Sequence, residues 1–167
     1  MVKIPRWDLT KFELADRAIG TEMKSVGEVM AIGRSFPETL QKAIRMLNIG
    51  ASGLSDYPAQ IPNPEDEIKN PTDRRLFAIY QALRSGATVE QISEWSKIDP
   101  WFICHIRSIL NIERKIKRTK KINNEQLREA KEFGFSDGQL AKLLKQTEAS
   151  IRQKRIKANI IPAIKQI

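Results

Sequence analysis

From residue 72 to its end, the chain is a series of helix-capping signals, each followed by apolar residues at helical spacing. Thr88 with Gln91 is a capping box, in which the hydroxyl and the amide each bond a backbone N–H that the helix cannot satisfy. Asp99 stands directly before a proline, which is a second kind of helix start because proline lacks the N–H that would go unbonded there. This part of the chain is therefore predicted to be entirely helical.

The same signals set the expected limits of the helices. The predicted starts are Thr72, Thr88, Asp99, Asn124, Ser136 and Thr147, while Gly86, Gly134 and Pro162 are predicted ends. The helix after Asp99 is expected to be the longest and to run through about Lys117. Because apolar residues recur at intervals of three and four, each helix is expected to bury one face.

A weak internal repeat with an offset of 48 residues runs through the helical part. The matched pairs are Thr88 and Ser136, Gln91 and Gln139, Ile92 and Leu140, Trp95 and Leu143, and Ile103 and Ile151. Each copy would hold a short capped helix, a tight turn and a longer helix. The pattern predicts a duplicated helical hairpin.

A run of different character, residues 23–34, precedes the helical part. It holds Gly27 and Gly33 around the apolar residues 29–32. Glycine inside an extended run often marks a close approach of another part of the chain. We therefore expect a strand here, with other residues packed tightly against it.

A helix start follows this strand. Ser35 with Glu38 is a capping box, Pro37 lies in the first turn, and apolar residues at helical spacing continue to Leu47. Residues 49–71, in contrast, are rich in glycine and proline and are predicted to be a linker or a connection along the surface. The length of this connection supports a boundary between two modules.

The run MKSVGEVMAIGR at residues 23–34, with the helix after it, resembles the end of the first ATP-grasp module of the carbamoyl-phosphate synthetase large subunit. The segments KIPRW at residues 3–7 and KF at 11–12 resemble the strand and the following segment of that module. The segments DPWF at 99–102 and GFSD at 134–137 resemble motifs of the helical connection, or oligomerisation, domain that separates the two ATP-grasp halves. The resemblance extends over nearly the whole chain.

The resemblance implies a mainly α fold: a multihelical connection domain preceded by a short α/β tail of an ATP-grasp domain. Residues 1–50 would be that tail, residues 51–71 a linker, and residues 72–167 the helical domain, with two helical subdomains and a possible duplication. The tail could not form a stable sheet by itself, because isolated strand pairs are marginal and three or more strands are normally required.

The resemblance also implies what the whole enzyme does. It would make carbamoyl phosphate from bicarbonate, glutamine-derived ammonia and two ATP, with Mg²⁺ or Mn²⁺, for arginine and pyrimidine biosynthesis. The expected partners are the two ATP-grasp halves, a small glutaminase subunit or domain, and further copies of the chain. This segment would be non-catalytic and would bind no cofactor, because the family's nucleotide-binding residues lie upstream of it.

Five residues of the family motif are candidates for inter-domain contacts: Lys24, Gly27, Glu28, Gly33 and Arg34. Lys24 and Glu28 are four positions apart and could be suspected of being a catalytic pair. In an extended segment, however, both side chains point to the same side, where they would form a surface or interface ion pair. We favour this structural role.

Three aromatic residues of the helical part have two interpretations. Trp95, Trp101 and Phe102 could form a stacking platform, but aromatic residues at such helical positions are more often part of the core. Trp101 and Phe102 lie in a family motif and are also candidates for an interface.

The chain has one cysteine, Cys104, and one histidine, His105. This excludes an internal disulfide and a cysteine-based zinc cluster, and the two residues are expected to be a buried structural pair. No run reaches the roughly 18–20 apolar residues that a membrane helix needs, and the N-terminus has no apolar signal segment. We therefore expect a cytoplasmic protein.

The net charge of +9 is unevenly distributed. Residues 1–106 hold 13 Lys and Arg against 14 Asp and Glu, whereas residues 107–167 hold 16 against 6. The basic residues within 142–157 could belong to a helix-turn-helix that binds DNA. The alternative is a solvated helix face or a docking surface for an acidic partner. The resemblance favours this alternative, so nucleic acid is not the expected partner.

Overall fold

The protein is described by a computed structural model that covers residues 1–11, 14, 16–119 and 121–163. Two strands, β1 and β2, and eight helices, α1 to α8, are present in these residues. In chain order they are β1 (Val2–Arg6), β2 (Gly27–Ala31), α1 (Phe36–Met46), α2 (Pro64–Lys69), α3 (Arg75–Ser85), α4 (Val89–Ser96), α5 (Pro100–Lys117), α6 (Asn124–Glu132), α7 (Asp137–Leu144) and α8 (Glu148–Lys157). The prediction of a mainly helical fold is confirmed.

Most of the predicted helix starts are confirmed by the side chains that cap them. Thr88 accepts a hydrogen bond from the Gln91 N–H at 3.2 Å, and the Gln91 side chain accepts one from the Thr88 N–H at 2.9 Å. Ser136 caps α7 in the same reciprocal way, and the side chains of Asp99 and Thr147 cap α5 and α8. These starts could be predicted because capping depends only on neighbouring residues.

The capping box predicted at Ser35 is only half correct. The Ser35 hydroxyl accepts from the Glu38 N–H as expected. The Glu38 carboxylate, however, accepts from the Arg34 N–H at 2.9 Å, one residue before the N-cap.

Two predicted helix limits are wrong. Thr72 does not cap α3, because its hydroxyl donates to the Glu67 carboxylate and accepts from the Arg74 N–H at 3.1 Å, and the helix begins at Arg75. At the other end, α8 stops at Lys157, well before the predicted stop at Pro162. There the chain turns at Asn159, which has a positive φ of 51°.

The 48-residue repeat is larger than the predicted hairpin, because it includes a third helix in each copy. The helices α4 and α7 are both eight residues long and start 48 residues apart. Each is preceded by a glycine with positive φ, Gly86 or Gly134, and followed by a lysine with positive φ, Lys97 or Lys145. Thus the order of helices and turns in α3–α4–α5 recurs in α6–α7–α8.

The core is shared by α1, residues 51–71 and both copies of the repeat. Its largest fully buried side chains are Phe135, Ile44, Leu54, Ile61, Ile68, Ile79, Ile92, Ile103, Ile109, Ile122, Leu127 and Leu140. Leu54, Ile61 and Ile68 belong to the segment that was predicted to be a linker. That prediction is wrong, because this segment contains α2 and contributes buried apolar surface to the core.

The two strands form an antiparallel ribbon in which Val2 faces Ala31 and Arg6 faces Gly27. The inner side of the ribbon packs on α1. Among the described residues, β1 and β2 pair with each other and with no further strand. The outer edge of each strand is therefore open within the described part of the chain. Sheets normally need three or more strands, so packing on α1 must supply much of the stability of this ribbon.

The chain between the strands is tied to the start of α3. Arg17 donates to both carboxylate oxygens of Asp73, at 2.7 and 2.6 Å, and the Ile19 N–H donates to the Pro71 carbonyl at 2.8 Å. A single 3-10 turn, Leu9–Lys11, follows Asp8.

Within residues 1–11, 14, 16–119 and 121–163, no helix combines the length and the apolar character that are required to cross a bilayer.

Candidate interaction surface

An aromatic cluster lies where the first turns of α1 and α5 meet. The Phe36 ring lies 5.5 Å from the Trp101 ring and 5.4 Å from the Phe102 ring, and His105 lies 4.2 Å from Trp101, all between ring centroids. Trp101 and Phe102 meet edge to face at 4.9 Å, which is a favourable arrangement for aromatic rings. We call Phe36, Trp101, Phe102 and His105 the aromatic cluster.

The position of this cluster follows from how α5 is anchored. Asp99 caps the helix by accepting from the Trp101 N–H at 2.8 Å. Ile103 and Ile106 then point into the core, which turns Trp101 and Phe102 outward on the opposite side of the first two turns.

Trp101 and Phe102 form the exposed part of the aromatic cluster. Trp101 keeps 52% of its surface exposed and Phe102 42%, so the prediction that they belong to the core is wrong for both. Trp95, the third aromatic residue considered, is partly buried against the core and agrees with that prediction. Helical spacing could not separate these cases, because the exposure of an apolar face depends on which other helices cover it.

Cys104 and His105 do not form the predicted buried pair. Cys104 is exposed, and His105 is half-buried against the Trp101 and Phe36 rings. Among the described residues, no group of three or more His, Cys, Asp or Glu side chains could hold a metal ion.

Lys24 and Glu28 are not paired with each other. The Lys24 ammonium donates to the Ala18 carbonyl at 2.7 Å and to the Asp16 carboxylate at 3.2 Å, so it holds the loop before β2. Glu28 pairs with Lys3 across the ribbon at 2.8 Å, and both side chains are more than half exposed. The predicted ion pair is wrong because each side chain finds a partner on a neighbouring segment.

The two glycines of the motif differ. A Cβ atom on Gly33 would lie 2.5 Å from the Thr39 hydroxyl, which confirms the expected close approach. A Cβ on Gly27 would meet nothing within 4 Å among the described residues, so the same expectation is wrong there. Arg34, next to Gly33, is exposed at the start of α1.

A buried pair of glutamines joins α1 to the second copy of the repeat. Gln139 donates its amide to the Gln41 carbonyl oxygen at 3.1 Å, and Gln41 donates to the backbone carbonyl of Phe133 at 2.9 Å. A Cβ on Gly53 would lie 2.3 Å or less from both amides, so glycine is needed there. The capping role of Gln139 is evident from the sequence, whereas its contact with Gln41 is not.

Several basic residues of α8 are already engaged within the chain. The Lys154 ammonium donates to the Ile122 carbonyl, and Arg155 donates to the Asp137 carboxylate at 3.1 Å and to the Ile160 carbonyl at 2.8 Å. Arg152 pairs with Glu148 at 2.8 Å. Most of the basic side chains that a helix-turn-helix would present to DNA therefore make contacts within the chain instead.

Asp137, at the start of α7, is the centre of a half-buried ion group. It accepts from Lys131 at 2.9 Å and from Arg155 at 3.1 Å. Burial by itself raises the pKa of Asp137, but the bonds from these two cations outweigh it and hold the pKa below its usual range. Burial lowers the pKa of Lys131, and the nearby charges of Arg155 and Arg45 lower it further, against the opposing effect of Asp137.

Comparison with known proteins identifies the family. Residues 28–159 match the family model described as carbamoyl-phosphate synthetase large chain, oligomerisation domain. The relatives include the N-terminal section of the carbamoyl phosphate synthase large chain of Methanopyrus kandleri, which is 48% identical over 93% of this chain and 31% of the relative. They also include the carbamoyl phosphate synthase large chain of Methanothermobacter thermautotrophicus, 45% identical over the whole chain and 15% of the relative.

A third relative is the mitochondrial carbamoyl-phosphate synthase [ammonia] of Rattus norvegicus, 42% identical over the whole chain and 12% of the relative. The chain thus spans less than a third of each of these three relatives. Neither the family nor these relatives support the nucleic-acid alternative. On the full-length matches and on the helical fold that they accompany, the chain belongs to the family of carbamoyl-phosphate synthetase large-chain oligomerisation domains.

Proposed function

We propose that this chain connects and oligomerises the large subunit of an enzyme that makes carbamoyl phosphate. The whole enzyme would use bicarbonate, glutamine-derived ammonia and two ATP, and would serve arginine and pyrimidine biosynthesis. The proposal is supported by the family match over residues 28–159. The chain itself would take no part in the chemistry.

The ribbon of β1 and β2 is the element that would join the chain to the rest of the enzyme. Both outer strand edges are open among the described residues, and such edges expose backbone groups that can pair with a further strand. We propose that residues 1–50 are the tail of an ATP-grasp module and that this module continues the ribbon. The second ATP-grasp half and a glutaminase subunit or domain would be the other partners.

The aromatic cluster is the surface that best fits self-association. Tryptophan and phenylalanine are enriched in the centres of protein interfaces, whereas monomeric surfaces rarely group them. Trp101 and Phe102 present a rigid apolar area at the start of α5, and Phe36 supports them from α1. We propose that a second copy of the chain covers this cluster, as the family description leads one to expect.

Replacing Trp101 with alanine should weaken self-association of the chain by about 10- to 100-fold, because a buried aromatic anchor commonly contributes on the order of 2 kcal/mol or more. Phe102→Ala should act in the same direction. Sedimentation velocity over a range of concentrations measures the effect. Circular dichroism would show that helix content is kept, as expected for side chains that are about half exposed.

Ile156→Ala is the matched control for this experiment. Ile156 lies on α8 with 56% of its surface exposed, close to the value for Trp101, but outside the aromatic cluster. Its replacement should leave the association constant unchanged. A wild-type chain that stays monomeric at high concentration would contradict the proposal, and so would equal effects of Ile156→Ala and Trp101→Ala.

The Mg²⁺ or Mn²⁺ and the ATP of the whole enzyme are proposed to bind outside this chain. Hard divalent cations need several oxygen ligands, and among the described residues no three or more His, Cys, Asp or Glu side chains are placed to hold a metal ion together. Titration of Mg²⁺ with ATP into the chain should give no magnesium-dependent heat and no ATP hydrolysis. Calorimetry with and without Mg²⁺, together with a phosphate-release assay, checks this expectation. ATP hydrolysis that co-purifies with the chain would refute the proposal.

We propose a cytoplasmic location for the whole protein. The relative from Rattus norvegicus is a mitochondrial protein. Fluorescence microscopy of the full-length protein with a C-terminal tag would decide between the two compartments.

A further inference from the structure

A basic cleft lies on the side of α1 that faces the second copy of the repeat. It has a volume of about 540 Å³ and is formed by the start of α1, the helix α6, and the segment that follows α8. Its basic lining residues are Arg34, Lys42, Arg45, Arg128, Lys131 and Arg155, against which only Glu38 and Glu132 of its lining are acidic. The cleft therefore carries a strong excess of positive charge.

The positive charge is not fully neutralised within the chain. Asp137 serves both Lys131 and Arg155, so one carboxylate is shared by two cations. Arg45 donates to two backbone carbonyls, those of Gly134 at 2.9 Å and Ser52 at 3.2 Å. Among the described residues, Arg34 and Arg128 make no ion pair.

The two exposed arginines come from different elements of the cleft lining. Arg34 belongs to the start of α1, where its backbone N–H is held by Glu38 at 2.9 Å, and Arg128 projects from α6. The partly buried Lys131, Arg45 and Arg155 belong to the same lining. Guanidinium groups bind phosphate through two parallel hydrogen bonds, so two arginines in one cleft suit a phosphate group better than a single surface lysine would.

One side of the cleft is apolar. It is formed by Phe135 and by the segment that follows α8, in which Ile160 is buried and Ile161 is exposed. The volume is within the usual range for small-molecule sites and far exceeds that of one inorganic phosphate ion. A ligand that fills the cleft would therefore need an apolar or flat body as well as an anionic group.

We propose that the cleft between α1, α6 and the segment after α8 binds a small organic phosphate, with the phosphate on Arg34 and Arg128 and the apolar body against Ile161. This site is separate from the aromatic cluster and does not depend on self-association. Phenyl phosphate is a suitable probe, because it combines a phosphate with a flat apolar ring.

Isothermal titration calorimetry of the full chain, at constant ionic strength in chloride, tests the proposal. Phenyl phosphate should bind saturably, and the double variant Arg34→Gln/Arg128→Gln should bind it at least about tenfold more weakly, since each charge-assisted bond contributes enough for such a factor. The double variant Arg84→Gln/Arg118→Gln is the control. It removes the same charge from exposed residues outside the cleft and should bind nearly as well as the wild type.

The apolar wall gives a second, independent readout. Ile161→Ser should weaken the binding of phenyl phosphate but not that of inorganic phosphate, which has no apolar body to contact the wall. Equal loss of affinity in the two arginine double variants would overturn the proposal, as would the absence of saturable binding. Equal affinity of the wild type for phenyl phosphate and inorganic phosphate would overturn the assignment of an apolar body.

Discussion

Replacing Gly134 with alanine should lower the free energy of unfolding by about 2–5 kcal/mol. Gly134 ends α6 with a positive φ of 83°, a conformation that costs residues with a Cβ about 1–2 kcal/mol. An added Cβ would also lie 2.9 Å from both the Cα and the carbonyl oxygen of Glu38, which is backbone that cannot move without shifting α1. Urea denaturation followed by circular dichroism measures the loss.

The repeat supplies its own control for this prediction. Gly86 occupies the equivalent position after α3, also with positive φ, but a Cβ there would meet nothing within 4 Å among the described residues. Gly86→Ala should therefore cost only the conformational part, about 1–2 kcal/mol. If the two variants lost the same stability, the close contact between α1 and the turn after α6 would not be present in solution.

Replacing Asp137 with asparagine should lower the free energy of unfolding by about 2–3 kcal/mol. The change leaves Lys131 and Arg155 without their shared carboxylate, and breaking a fully buried ion pair costs roughly 3–5 kcal/mol. The expected loss is smaller because both cations keep some contact with solvent. Glu65→Gln is the control, since Glu65 and Lys69 are each about half exposed and such pairs contribute about 0–1 kcal/mol.

The same carboxylate should give the protein a pH dependence. The pKa of Asp137 is lower in the folded state than its ordinary value of 3.8, so its contribution is present above that value and is lost as the pH falls through the folded pKa. Denaturation at a series of pH values below about 5 should show a steeper loss of stability for the wild type than for Asp137→Asn. Parallel pH profiles would show that Asp137 does not carry this charge interaction.

Local capping chemistry is the part of the fold that the sequence reveals best. The starts of α4, α5, α7 and α8 were predicted correctly because Thr88, Asp99, Ser136 and Thr147 each bond a backbone N–H within three residues. The start of α3 was predicted wrongly because the Thr72 hydroxyl bonds the carboxylate of Glu67 in α2 instead of capping α3. A competing partner that is supplied by tertiary structure cannot be seen in the local pattern.

Contacts between distant segments explain the other errors. Residues 51–71 have the composition of a linker, yet Leu54, Ile61 and Ile68 enter the core because this segment packs on α3 and α4. Lys24 and Glu28 have the spacing of a pair, but the pairing of β1 with β2 sets Glu28 opposite Pro5, from where its carboxylate reaches Lys3 diagonally across the ribbon. Trp101 and Phe102 were expected to be possible interface residues through the family motif, while their exposure depended on the packing of α5.

The basic cleft was not predicted from the sequence, although the excess of lysine and arginine after residue 107 was evident. Its lining comes from α1, α6 and the segment after α8, and Arg34 and Arg128 are far apart in the chain. Such a cluster appears only when the helices are assembled. The uneven charge was the available signal, but it did not indicate which residues would converge.

The glutamine pair between α1 and α7 has a consequence for how the chain is made. Gln41 and Gln139 are separated by 98 residues, and Gln41 also bonds a carbonyl 92 residues away. At translation rates of about 5–20 residues per second, α1 would wait roughly 5–20 s on the ribosome before its amide partner is synthesised. During that time the hydrogen bonds of Gln41 to Gln139 and to the Phe133 carbonyl are unmet, so α1 completes these contacts only after α7 has been made.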